Sequence, residues 1–132
     1  MEATLAEQAE QIDRFVETAR DDARWRAEAM DHLRVFRASW VRHHVTCDAT
    51  GGLHHDLTDT EPRVTPLVNR LRSESLRLIE CCDFALAALR RPDSSLGEAR
   101  HAMAEVGAQA RRYRARMASA TYETVSVDLG CG

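Results

Sequence analysis

Four of the chain's six histidines, His43, His44, His54 and His55, fall in one stretch between Trp40 and Ser75. Cys47, Asp48 and Glu74 lie in the same stretch, with two of the three prolines and the single Gly-Gly pair. Imidazoles, carboxylates and thiolates are the side chains that bind transition metals, and imidazole with thiolate favours zinc or ferrous iron. His44 and Asp48 stand four residues apart, so a helix would put them on one face. Taken alone, His44 reads as a hydrogen-bonded or solvated histidine near a helix end. His54, His55 and Asp56 would form a second, loop-borne cluster. The cysteines at 47, 81, 82 and 131 show no CxxC spacing and read as reduced thiols, some of them packed in the core. Cys81 and Cys82 would point to different sides of a helix. No nucleophile stands beside a base, and neither a phosphate loop nor a matched acid–base pair is visible. Binding or sensing is therefore expected rather than catalysis.

Such side chains need a scaffold, and composition says which kind. A chain of 132 residues with 44% apolar and 30% charged residues suits one globular domain. Aromatics are only 5%, and β-branched residues are few outside the middle and the C-terminal end, which favours helix over sheet. Net charge is −3, so no nucleic-acid partner is expected. The one basic cluster, Arg111, Arg112, Arg114 and Arg116, reads as a solvated helix face. The N-terminal MEATLAEQAEQIDRF is acidic and amphipathic, unlike a secretory leader. The most apolar run, Leu78 to Leu89, carries Glu80 and Asp83 and is too short to span a bilayer. No membrane partner is expected, and a cytoplasmic location is the default.

Helical periodicity divides the chain. Leu5, Ala9, Ile12, Val16 and Ala19 mark a first helix over 2–20. Asp21 and Asp22 offer an N-cap for a second over 22–48, with Met30, Leu33, Phe36, Trp40, His44 and Cys47 on one stripe. Nothing between them forces a break, so one fused helix is the alternative. Gly51 and Gly52 end the second helix, and 49–61 form a connection. Pro62 opens a third helix over 62–91. Its stripe of Val64, Val68, Leu71, Ser75, Leu78, Cys82, Ala85 and Leu89 is apolar except at Ser75, where a hydroxyl bonded back to its own helix is expected. After Pro92-Asp93-Ser94, the capping-box spacing Ser95-Leu96-Gly97-Glu98 starts a fourth helix. Its seam is Ala99, Met103, Val106, Ala110, Tyr113, Met117 and Ala120. Tyr113 falls near the level of Ser75 and needs a partner for its hydroxyl. The expected fold is all-α: an up-down-up-down four-helix bundle over 1–120, with a C-terminal tail over 121–132. The alternative is three long helices that complete their core as a homo-oligomer.

These residues resemble a family. His44-x-x-x-Asp48, Gly51-Gly52-Leu53, Pro62-Arg63-Val64 and Val68-x-Arg70-Leu71-Arg72-x-Glu74 look like the middle of hemerythrin-like (HHE-type) domains, in a short actinobacterial-style branch. Arg112-Tyr113-Arg114-x-Arg116, Tyr122-Glu123 and Val127-Asp128-Leu129-Gly130 are similar to that branch's C-terminal signature. The resemblance implies a four-helix bundle that holds two non-haem irons and binds or senses small molecules. It also implies metal ligands at His44, Asp48 and Glu74. Departures are several: Asp48 stands where Glu is usual, and Ser75 and Tyr113 stand where the family has histidines. The first-helix seam supplies no ligand. The implied molecule is therefore a hemerythrin-like bundle with a degenerate metal centre, holding iron, zinc or a small ligand weakly or not at all. Cys47, Cys82 and the loop histidines are candidate substitute ligands. A metal-free structural or interaction bundle is the alternative.

Overall fold

The computed structural model describes residues 3–48 and 65–124. Four helices account for nearly all of them: α1 (Leu5–Glu17), α2 (Ala23–Asp48), α3 (Thr65–Arg90) and α4 (Leu96–Thr124). No strand occurs among the described residues. The expected connection at 49–61, with Pro62 and Val64, lies outside them. No helix of the described chain is long and apolar enough to cross a membrane.

The break between the first two helices is real, and side chains make it. The Thr18 hydroxyl and backbone N–H both donate to Arg14 O, at 2.8 and 2.9 Å, and close α1. Asp22 Oδ1 then accepts the Trp25 N–H at 2.6 Å and opens α2. The fused-helix alternative is thereby replaced by two helices. At the other end of α1, Thr4 and Glu7 form a reciprocal capping box, so the helix starts at Leu5 rather than residue 2. Ser95 Oγ accepts the Glu98 N–H at 3.0 Å as its spacing anticipates. The Glu98 carboxylate pairs with Arg91 at 3.3 Å. Helix α4 runs to Thr124, past residue 120 where the apolar pattern ends. No Gly or Pro stands between Ala120 and Thr124 to stop it.

Each helix packs against its neighbours in sequence, and α1 closes the ring against α4. Ile12, Leu33, Phe36, Leu71, Leu78, Met103 and Val106 are fully buried at the centre. The α3 stripe from Val68 to Leu89 is buried at every position read from periodicity, whereas in α1 only Ile12 of the stripe is buried and Leu5, Ala9, Val16 and Ala19 are half-buried. Trp25, Ala29 and the polar Gln8 and Gln109 are buried without having been part of any stripe. Helix α1 has 13 residues against 26, 26 and 29 for the others. It spans about 20 Å where they span about 40 Å. The first helix therefore covers only part of the gap between α2 and α4.

The α3–α4 turn is tied to the start of α2 by Ser94, which is 7% exposed. Arg26 donates from Nη1 to Ser94 Oγ at 2.9 Å and from Nη2 to Ser94 O at 2.8 Å. The same hydroxyl lies within reach of Ala88 O and Arg91 O, so its proton is satisfied within the turn. Replacing Ser94 by Ala strands these groups. Urea unfolding of Ser94→Ala is expected to show a loss of about 1–2 kcal/mol with an unchanged m-value.

Candidate functional site

The polar centre of the bundle is built on Ser75. The Trp40 indole N–H reaches both Ser75 Oγ and Ser75 O at 3.1 Å. His44 Nδ1 lies 2.8 Å from the same Oγ. Ser75 is fully buried and Trp40 is 5% exposed, so water does not compete for these bonds. The partners come from α2, not from the serine's own helix as expected. A hydroxyl accepts through two lone pairs and donates once, so one Ser75 side chain serves both the indole and the imidazole. Tyr113 packs edge-on against Trp40, with ring centroids 4.9 Å apart at 84°. The His43 ring lies 4.9 Å from Trp40 and 6.0 Å from Tyr113. Ser75 and Tyr113 thus meet at one level of the bundle through Trp40.

The carboxylate implied as a ligand is engaged elsewhere. Glu74 Oε1 accepts from Arg116 Nε at 2.7 Å, and Glu74 O accepts from Gln109 Nε2 at 3.2 Å. Its other oxygen, Oε2, is buried without a hydrogen-bond partner among the described residues. The structure places His44 on Ser75 and Glu74 on Arg116. The Asp48 side chain, His54, His55 and Asp56 lie outside the described residues. Among the described residues, no three His, Cys, Asp or Glu side chains gather to hold a metal ion. Among the described residues, a hydroxyl faces the His44 imidazole nitrogen and a guanidinium faces the Glu74 carboxylate.

Cysteine chemistry divides in two. Cys81 and Cys82 are free, and burial pushes the Cys82 thiol up to about 12. Burial also raises Cys81, against the lowering effect of Arg77. Cys82 is fully buried and Cys81 half-buried, so the two adjacent residues do face different sides. Cys47 is disulfide-bonded, which corrects the expectation of four reduced thiols. Spacing rules detect local cysteine motifs and do not show whether an isolated cysteine such as Cys47 is bonded. A bonded Cys47 is also removed from the candidate substitute ligands.

The arginine cluster is not a free basic face. Arg111 pairs with Asp13 at 2.8 Å, Arg112 with Glu105 at 3.8 Å and Arg116 with Glu74 at 2.7 Å. Arg114 makes no such pair among the described residues. It lines a groove of about 460 Å³ between α1, α2 and α4. Phe36, Trp40, His43 and Tyr113 supply its aromatic wall, and small residues of α1 and α4 its sides. Gly107 admits the Asp13 carboxylate here, because a Cβ on Gly107 would overlap Asp13 Oδ1. Periodicity missed the buried amide of Gln109, which lies one position before the assigned seam residue Ala110. A search for apolar periodicity passes over a glutamine, although its spacing of three from Val106 fits the seam.

Two outcomes follow from this geometry. Ser75→Ala leaves the indole with Ser75 O but removes the hydroxyl facing His44, and is expected to cost about 1–2 kcal/mol in urea unfolding. Iodoacetamide at pH 8 is expected to leave Cys82 unlabelled in the folded protein, because its raised thiol stays protonated, and to label it fully in urea. Mass spectrometry reads the second outcome. Compared with models of protein families, with curated proteins and with solved structures, the chain matches none.

Proposed function

We propose that this protein is a non-catalytic binding or sensing bundle of the hemerythrin-like type, in which a hydrogen-bonded hydroxyl, imidazole and indole stand where the family holds metal. The observation that carries the reading is the convergence of Trp40 Nε1 and His44 Nδ1 on Ser75 Oγ. Ser75 and Tyr113 replace two histidines of the resemblance, and both lie against Trp40. The up-down-up-down course is supported by contacts along the helices. Arg26 meets Ser94, Arg37 meets Asp83 and Trp40 meets Ser75, so α2 and α3 run in opposite senses. Gln109 and Arg116 meet Glu74 while Glu98 meets Arg91, which gives the same relation for α3 and α4. Any iron or zinc held through His44, Asp48 and Glu74 is then weakly bound, because His44 and Glu74 already have protein partners.

A metal-free interaction bundle is the second reading. It is favoured by Phe84, which is 69% exposed on α3, with Leu76 half exposed on the same helix. Such a bundle would self-associate through that surface, and sedimentation equilibrium of Phe84→Ser against the parent chain separates this reading from the first.

Elemental analysis of tag-free protein, followed by anaerobic ferrous addition and an absorbance spectrum, tests the metal content. The expected result is well below one metal ion per chain, no visible charge-transfer bands and a melting temperature unmoved by chelator. Two irons per chain with visible bands, lost in His44→Ala, would overturn the degenerate centre.

A further inference from the structure

The groove between α1, α2 and α4 is separate from the Ser75 hydrogen bonds, although Trp40 belongs to both. Its volume of about 460 Å³ is that of a small-molecule site. Phe36, Trp40 and Tyr113 lie beneath it with almost no exposed surface, and the half-buried Leu5, Ala9 and Ala110 present its apolar face. Charges stand only on its rim, and they are unequal in what they leave available. Asp13 and Arg111 neutralise each other at 2.8 Å. Arg114 is exposed and has no ion pair among the described residues, whereas Arg111, Arg112 and Arg116 each have one. A guanidinium presents a fork of N–H donors that fits a carboxylate bidentately. Glu10, also exposed on the rim, has no ion pair either and repels a second negative charge.

We propose that this groove binds a small organic monoacid, its apolar body over Leu5, Ala9 and Ala110 above Trp40 and its carboxylate on Arg114. The site does not depend on whether the bundle holds metal.

Isothermal titration of the full chain with phenylbutyrate, phenylbutyramide and the dicarboxylate suberate tests the assignment. The monoacid is expected to bind saturably at one site. Removing its charge as the amide is expected to weaken binding about tenfold, and Arg114→Gln to do the same to the acid. Suberate is expected to bind more weakly than phenylbutyrate. Ala110→Trp, which fills the groove, is expected to abolish binding while circular dichroism and melting remain those of the parent. If that variant does not fold, the indole N–H resonances of the unmodified chain give the location. The acid must shift Trp40 and leave Trp25, which Trp25→Phe assigns. Absence of binding, equal affinity for acid and amide, indifference to Arg114→Gln, or a shift at Trp25 alone would each overturn the proposal.

Discussion

Trp40 carries its indole N–H into a part of the bundle where water cannot reach it. A buried donor without an acceptor costs about 1–3 kcal/mol, comparable with a sizeable fraction of a small domain's stability. Ser75 meets that requirement twice, through its hydroxyl and through its carbonyl. The bond fixes the register of α2 against α3, because a shift by one helical turn would move the indole away from the single hydroxyl on the α3 seam. Once Trp40 is fixed, Tyr113 is placed by its edge-on contact, and α4 is set in register as well. Arg37 with Asp83 and Arg116 with Glu74 lie further along the same interfaces. The first of these is largely exposed and contributes less than about 1 kcal/mol. Register is thus decided in the core, and the surface pairs follow it.

The same tryptophan separates two environments. One side of the ring belongs to the hydrogen-bonded centre, and another lies beneath the groove. The groove exists because α1 is short. A full-length first helix with a continuous apolar stripe would fill the space between α2 and α4 with side chains. Instead, small residues such as Ala6 and Ala9 leave volume beside Phe36 and Trp40. Gly107 leaves room for the Asp13 carboxylate, which a Cβ there would displace. All 18 basic residues of the chain are arginine, so each cation in the arginine-rich part of α4 is planar and always charged. There the pattern of partners, not the number of charges, determines what remains open to a ligand.

Much of the fold was legible because amphipathic helices announce themselves by period. The α3 stripe from Val68 to Leu89 is buried at every position named from spacing. The break before α2 was legible in Asp22 but not decided by it, since a capping residue inside a helical run competes with simple continuation. The Thr4–Glu7 box, a short local signal, was present and unread. The site was less legible. Ser75 and Tyr113 stood out because each interrupts an apolar seam, yet spacing cannot say which residue of another helix meets them. Trp40 was counted as bulk apolar surface, although its N–H is what joins α2 to Ser75. Glu74 was assigned by likeness to a ligand position, and its contact with Arg116 depends on the packing of α3 against α4. Periodicity describes one helix at a time, and the chemistry of this bundle lies between helices.

The pairing of Asp13 with Arg111 joins residues 98 apart, whereas Trp40 and Ser75 are 35 apart. Loop-closure entropy grows only with the logarithm of that separation, so bringing the chain's two ends together costs only about 1 kcal/mol more than closing the α2–α3 hairpin. A few buried methylene groups offset such a difference. Distance along the chain therefore does little to decide how firmly α1 is held. The side chains it presents to α2 and α4, chiefly the fully buried Ile12, decide it instead.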